Sequence, residues 1–140
     1  MPYLFAAVGG ALGALARWGV SRALPSSPGH WPWATLLVNL SGCVLIGVLL
    51  AVLLARFPGN AWLRPFLAVG VLGGYTTYSA FAVDVVRLGH AGAWGVAIGY
   101  LVVSVVGGAA GVVLGLAGTR AALRLQESML AELEAGEDQT

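Results

Sequence analysis

The chain has 140 residues, of which 59% are hydrophobic and only 9% are charged, and its formal net charge is +1. This composition is typical of an integral membrane protein and argues against a soluble domain. The single cysteine, Cys43, excludes an intrachain disulfide and a four-cysteine metal site. We expect no nucleic-acid partner.

Four long stretches without charge fill most of the chain. Because about 20 apolar residues cross the hydrocarbon core of a bilayer, they predict membrane-spanning helices at approximately residues 3–23, 33–55, 64–86 and 94–119. The first span lacks a basic leader region and is expected to stay in the mature protein. Residues 1–120 are therefore predicted to form one all-α transmembrane domain with both ends on the same side. Residues 121–140 are predicted to form a helical overhang with an acidic tail.

The positive charges are weakly biased between the two sides of the predicted bundle. Their distribution normally sets the orientation of a membrane protein. A weak bias permits insertion in both orientations, and hence an antiparallel dimer of identical chains. The terminal side would hold Arg56, Arg64, Arg120 and Arg124, the other side Arg22 and Arg87, and Arg17 lies inside or near the end of span one.

Glycines recur at four-residue spacing, which places a flat rail on one helix face and favours close helix contacts in membranes. Four short spans leave little room for a central pathway, so a second subunit is expected to complete any pore. The sets at this spacing are Gly9 and Gly13; Gly70 and Gly74; Gly95 and Gly99; and Gly107, Gly111 and Gly115.

The third span is interrupted by Gly73-Gly74-Tyr75-Thr76-Thr77-Tyr78-Ser79-Ala80-Phe81. Adjacent glycines weaken a helix, and adjacent threonines can bond to the backbone that is freed. Such a break survives in a bilayer only where protein, water or an ion satisfies it. Carbonyls that converge from two chains would suit a dehydrated alkali cation. Tyr78 and Phe81 would share a face after the break, where positive ring edges can meet an anion weakly.

Other polar residues in the spans leave alternatives open. The Asn39 amide could make an interhelical hydrogen bond or donate to a permeating anion. Arg17 could extend to the interface or cap helix carbonyls. Asp84 follows Phe81 by one turn, near a span end, so a proton-coupling role is possible but not favoured. On span four, Tyr100 and Ser104 share a face with Gly108 and could form a polar track or bond to nearby carbonyls.

Taken in order, these motifs resemble the Fluc (CrcB) family of small fluoride channels. The resemblance spans nearly the whole chain, since each of the first three spans contributes a motif. The motifs are Gly9-Gly10-Ala11-Leu12-Gly13-Ala14-Leu15-Ala16-Arg17-Trp18, Asn39-Leu40-Ser41-Gly42 and the cluster at 73–81.

The resemblance implies an antiparallel, dual-topology homodimer in the inner membrane of a prokaryote. This dimer would carry two fluoride pores and a structural sodium ion at its interface, and would export fluoride passively. The sodium would be held by the backbone carbonyls of Gly73 and Thr76 from both chains. By motif position, the residues implied at the pore are Asn39, Tyr78, Phe81, Thr77, Ser79, Tyr100, Ser104 and Asp84, with Arg17 at the vestibule.

Two positions depart from the family pattern, and other classes of protein remain as alternatives. Tyr78 stands where the family has phenylalanine, and Gly108 stands where it has serine. A proton-coupled multidrug carrier would need a membrane carboxylate, for which only Asp84 is available. An assembly subunit would leave the broken span unexplained. An enzyme is not expected, because there is no paired nucleophile and base and His30 and His90 fall in predicted loops.

Overall fold

The computed structural model describes the backbone of residues 2–137 and the side chains of residues 2–133. The last part of the predicted acidic tail, residues 138–140, lies outside the described residues. Within this range every regular element is helical. The elements are α1 (Pro2–Ala23), α2 (Trp33–Arg56), a π-helical segment (Pro65–Leu72), α3 (Gly73–Tyr75), α4 (Tyr78–His90) and α5 (Trp94–Glu137).

Four helical stretches are long and apolar enough to cross a membrane, namely Pro2–Ala23, Trp33–Arg56, Pro65–His90 and Trp94–Leu133. The prediction of an all-α protein with four transmembrane helices is confirmed. The third stretch runs four residues past the predicted end at 86. Helix α5 passes residue 119 without a break and has 44 residues, which at 1.5 Å per residue is about 66 Å and exceeds the thickness of a bilayer.

The third span is interrupted at Thr76 and Thr77, between α3 and α4. Both residues are extended, with φ/ψ of −74°/160° at Thr76 and −152°/120° at Thr77. The first half ends where the Thr76 N–H and hydroxyl both donate to the Leu72 carbonyl, at 2.9 and 2.8 Å. The second half begins where Thr77 Oγ1 accepts the Ala80 N–H at 3.2 Å, as an N-cap. The Thr76 side chain therefore helps to end the helix before the break, and the Thr77 side chain caps the helix after it.

Glycine contacts bring α1 against the first half of the third span. A Cβ on Gly9 or Gly13 would collide with backbone atoms of that half, and a Cβ on Gly70 or Gly74 would collide with the backbone of α1. The two rails therefore face each other. Close backbone approach of this kind is the use that membrane helices make of small residues at four-residue spacing.

A second glycine contact joins α2 to α5. A Cβ on Gly115 would collide with the α2 backbone at Val44, and one on Gly47 with the α5 backbone at Val112. Within the single chain, the predicted rail at Gly95 and Gly99 meets no helix backbone. Gly95 has nothing within 4 Å of its Cβ position, and that of Gly99 lies 3.5 Å from the Trp31 ring. Here a tryptophan side chain from the loop, rather than a helix, packs against α5.

One cluster of buried residues lies near one end of the bundle. It contains Leu36, Leu88, Ala97 and Tyr100, with Phe81 and Trp31 packed against it. Other buried apolar residues lie along α2 and at Leu72. Many large apolar side chains elsewhere point outward. In water they would form an unusually large apolar surface, whereas in a bilayer they face lipid.

Candidate functional site

A cavity of about 410 Å³ opens beside the break in the third span. It lies between α2, both halves of the third span and α5. The cavity brings together residues that the sequence analysis singled out separately, together with apolar side chains such as Leu72 and Ile46. The singled-out residues that line it are Asn39, Gly73, Thr76, Thr77, Tyr78, Phe81 and Ser104.

The Asn39 amide is paired with the backbone of Thr77. Its Nδ2 donates to the Thr77 carbonyl at 2.9 Å, and its Oδ1 accepts the Thr77 N–H at 2.8 Å. The interhelical hydrogen bond, one of the two alternatives for Asn39, is therefore present. An amide NH₂ carries two donors, so one N–H of Asn39 is left to meet a ligand in the cavity that this side chain lines.

Because the Thr77 N–H is paired with Asn39, the Gly73 carbonyl lacks its helical hydrogen bond. In a continuous α-helix the N–H of Thr77 would bond to this carbonyl, but here it donates to Asn39. At Thr76 the extended ψ of 160° turns the carbonyl away from the helical direction. The two carbonyls that the family resemblance assigns to a cation are both affected by the break.

Three aromatic rings form a row from the cavity mouth into the core. The ring centroids of Tyr78 and Phe81 are 5.9 Å apart, and those of Phe81 and Tyr100 are 5.4 Å apart. Tyr78 is 81% exposed, whereas Tyr100 is fully buried. The row is therefore closed at its inner end and open at Tyr78, where the single chain supplies no opposite wall.

Polar side chains lie near the row of aromatic rings, at its buried end and at the break. Tyr100 Oη and Ser104 Oγ are buried without a hydrogen-bond partner among the described residues. Buried hydroxyls normally have partners, so these two are available to water or an anion. Ser79 lies at the break, where its hydroxyl is 3.2 Å from Thr77 Oγ1. Asp84 is further along α4, where its carboxylate accepts from Thr35 Oγ1 at 2.7 Å.

Arg17 lies on the other side of the break. It lines a separate cavity of about 250 Å³ together with Trp18, Ser21, Thr35 and Thr77. Thr77 lines both this cavity and the larger one, so the break separates the two. Arg17 is thus close to the candidate site without sharing its main cavity.

The sequence analysis gave two contributors no role at the site. Thr35 holds the Asp84 carboxylate, and Cys43 lines the main cavity with its sulfur 3.3 Å from the Cβ position of Gly108. A signal for both was present, because Thr35, Asn39 and Cys43 follow each other at four-residue spacing on one face of α2. The sulfur covers part of the space that the absent side chain of Gly108 leaves.

These features define the class of the protein. It is a multi-pass helical membrane protein in which a largely apolar cavity opens at a broken helix, and the few polar groups that line this cavity include no catalytic pair among the described residues.

Comparison with known proteins gives the family. The family described as CrcB-like protein, Camphor Resistance (CrcB), matches residues 4–116. A relative from Nocardia farcinica, named fluoride-specific ion channel FluC 2, is 45% identical over 113 residues, which are 81% of this chain and 81% of the relative. One from Bordetella petrii, named fluoride-specific ion channel FluC, is 48% identical over 119 residues, covering 85% and 91%.

The chain belongs to the CrcB family. The resemblance inferred from the motifs is confirmed, as is the expectation that the protein is not an enzyme, because the named relatives are ion channels.

Proposed function

We propose that this protein is a fluoride-selective channel that exports fluoride passively and so relieves fluoride toxicity. The observation that carries the proposal is the cavity in which Asn39, Phe81 and Ser104 meet beside the helix break. Its relatives are named fluoride-specific ion channels, which gives the identity of the ion.

The lining fits conduction of a small anion. Asn39 keeps one amide N–H for a ligand, the aromatic edges of Tyr78 and Phe81 offer a weak positive field, and Ser104 supplies a hydroxyl. No lysine or arginine lines this cavity among the described residues. An ion must leave as readily as it enters, and full charges would hold it. Thr77, Ser79, Tyr100 and Asp84 extend this polar lining along α4 and α5, and Arg17 acts from the neighbouring vestibule.

Fluoride is the anion of a weak acid, and this chemistry explains the need for a channel. Neutral hydrogen fluoride crosses lipid and dissociates where the pH is higher, and the anion then cannot leave through hydrocarbon. An inside-negative potential expels an anion with about 2.3 kcal/mol per charge for each 100 mV. A passive pathway in the inner membrane of a prokaryote therefore suffices for export.

The active form is an antiparallel, dual-topology homodimer with two pores. The support is the open end of the aromatic row, because Tyr78 is 81% exposed and a pathway in lipid needs a complete wall. The same side of the third span presents Gly73, which is exposed in the single chain. A second chain packed there would close the cavity.

A structural sodium ion would be held at this interface by the carbonyls of Gly73 and Thr76 from both chains. The residues fit such an ion, because the break redirects the Thr77 N–H and the Thr76 carbonyl away from helical hydrogen bonding. Hard alkali cations prefer oxygen ligands of this kind. When bound, the ion supplies charge that ties two broken helices together. Replacing sodium by a large organic cation should lower the thermal stability of the purified dimer, and stability independent of sodium would contradict this site.

Flux in liposomes tests the function. Purified protein is reconstituted with potassium fluoride inside, valinomycin is added, and fluoride is followed with an electrode. We expect fast release that depends on valinomycin, with no matching release from vesicles loaded with chloride. Absence of release from verified dimer would refute the channel, and equal chloride release would refute its selectivity.

Two substitutions test the pathway. N39L removes the amide donor and F81L removes the central ring, so both should reduce fluoride release at least tenfold. F5L is the matched control, because Phe5 lies on α1, where its ring packs against Trp62, and it does not line the cavity. Only preparations that remain dimeric are compared. Wild-type release from both N39L and F81L would show that the pathway lies elsewhere.

A further inference from the structure

A separate cavity, of about 210 Å³, lies where α2 ends and the third span begins. Asn60, from the loop that joins them, and Arg64, at the start of the third span, form its polar side. Neither residue lines the cavity beside the helix break, so this is a second site. The opposite wall is apolar and consists of Leu50, Leu53, Leu54 and Phe57.

This cavity lies at the level where hydrocarbon meets the lipid headgroups. Helix α2 ends at Arg56, and the chain is not helical again until residue 63. Backbone outside a helix does not face hydrocarbon, so the loop lies at the membrane surface. Trp62 is exposed in this loop, and tryptophan is enriched at the membrane–water interface. A ligand in the cavity would therefore meet both an apolar and a polar environment.

The charge around the cavity is positive. Arg64 is exposed, and it is the only charged residue of the lining among the described residues. No acidic residue precedes Asp84 in the chain, and the Asp84 carboxylate bonds to Thr35, near the opposite end of α2. Arg56 adds a positive charge nearby, where it donates to the neutral amide of Gln126. Because arginine is always charged, the preference of this cavity for an anion does not depend on pH.

The Asn60 side chain is oriented by the loop. Its Oδ1 accepts the N–H groups of Trp62 and Leu63, at 3.2 and 3.0 Å. The amide oxygen is thus occupied, whereas the NH₂ group, which only donates, is left for a ligand in the cavity that Asn60 lines. An amide donor and a guanidinium on one side of a cavity suit the oxygens of a phosphate group.

We propose that this cavity binds an anionic phospholipid, with the phosphate on Arg64 and Asn60 and the start of an acyl chain against the apolar wall. A free phosphate ion would leave that wall in contact with water, whereas a lipid covers it. Basic pockets between membrane helices bind anionic headgroups in this way. A lipid with a positively charged headgroup, such as phosphatidylcholine, would bring a cation toward Arg64 and Arg56.

A lipid in this position would connect the two elements that form the candidate fluoride site. Leu54 belongs to α2, which carries Asn39, and Arg64 leads into the first half of the third span, which carries Gly73. We therefore expect the bound lipid to stabilise the protein. Each chain supplies one such site at its terminal side. If the chains form the proposed antiparallel dimer, one site lies in each leaflet.

Native mass spectrometry of the purified full-length protein tests the site directly. Phosphatidylglycerol and phosphatidylcholine are added in equal amounts, and the lipid retained per chain is counted. We expect wild type to retain phosphatidylglycerol preferentially, with saturation at one per chain. A positive side chain near an anionic lipid contributes about 1 kcal/mol, so R64Q should lower the affinity for phosphatidylglycerol about fivefold. R124Q is the matched control, because Arg124 is at the same end but does not line the cavity.

A second variant tests the amide donor. N60D keeps an oxygen that can accept the N–H groups of Trp62 and Leu63, but it replaces the NH₂ group with a negative charge. It should lower the affinity for phosphatidylglycerol at least as much as R64Q does. Thermal unfolding in detergent gives an independent readout. Phosphatidylglycerol should raise the Tm of wild type and of R124Q, and it should raise the Tm of R64Q and N60D less.

Inorganic phosphate separates a lipid from a free anion. We expect no rise in Tm at a phosphate concentration equal to that of the lipid. An equal rise with phosphate would show a free-anion site and overturn the lipid site. Equal retention of the two lipids by wild type, or equal losses in R64Q and R124Q, would overturn it as well. None of these results involves fluoride flux, so their failure leaves the proposed channel in place.

Discussion

Asn39 satisfies the backbone at the point where the third span leaves the helix. Replacing it with alanine leaves the N–H and carbonyl of Thr77 without these partners. An unsatisfied buried group costs about 1–3 kcal/mol, so N39A should lower the free energy of unfolding by about that amount. Titration of unfolding with denaturing detergent measures it. S41A is the control, because Ser41 is exposed and its Oγ bonds within its own helix and to Tyr75. Equal losses in both variants would contradict a special role for Asn39.

We expect Tyr78 to contribute to fluoride flux through its ring. This ring packs against that of Phe81, with the two ring centroids 5.9 Å apart. Because phenylalanine keeps this ring, Y78F should retain fluoride flux within about twofold, while Y78L should lose most of it. Efflux from liposomes at equal protein density checks both. A large loss in Y78F would show that the hydroxyl itself donates to the anion.

The residues at the site were predictable to different degrees. Glycines and hydroxyls in an apolar span identified the break, and Asn39 stood out as an amide in hydrocarbon. Thr35 and Cys43 were missed, because a threonine or cysteine in a span usually bonds to its own helix or packs. Only the three-dimensional contact with Asp84 and with Gly108 gives them a place in the site.

At the scale of elements, α1 is held to the third span by backbone contacts that leave no space for side chains. The Cβ position of Gly13 lies against Val71 and 2.7 Å from the Tyr75 nitrogen. G13A should therefore destabilise the protein by about 1–3 kcal/mol through overpacking.

Gly19 provides the matched control for this prediction, because it is on the same helix and a Cβ there meets nothing within 4 Å. G19A should be neutral or stabilising by up to about 1 kcal/mol, since alanine favours the helix. Detergent unfolding of the two variants measures the difference. Equal stability of G13A and G19A would contradict the close contact.

Hydropathy predicted the four spans. It did not predict the helix type of the first half of the third span or the packing at the start of α5. The segment Pro65–Leu72 is π-helical, and π-helices are so rare that an apolar run of this length predicts an α-helix. Likewise Gly95 and Gly99 have the spacing of a packing rail, yet Trp31 lies against Gly99. Spacing predicts which face is flat, whereas tertiary packing decides what lies on it.

At the scale of the whole molecule, the single chain leaves one side of its cavity without a wall. Its cavity is open on the side of Tyr78, and its charges give little preference for one orientation. The two facts together favour two chains inserted in opposite directions, because each would then close the other's cavity. Helix α5 is much longer than a bilayer requires, so its overhang is expected to project from one side of the membrane. The side on which the overhang lies therefore shows which way a chain is inserted.

Labelling of this overhang tests dual topology. The variant C43S/S128C carries one cysteine, at an exposed position of α5 far from the cavity. In sealed vesicles, an impermeant thiol reagent should label about half of the protein, because half of the chains would direct the overhang outward. Permeabilised vesicles should give complete labelling and serve as the control. Labelling of all or none of the chains in sealed vesicles would establish a single orientation and exclude the antiparallel dimer, whatever the flux measurements give.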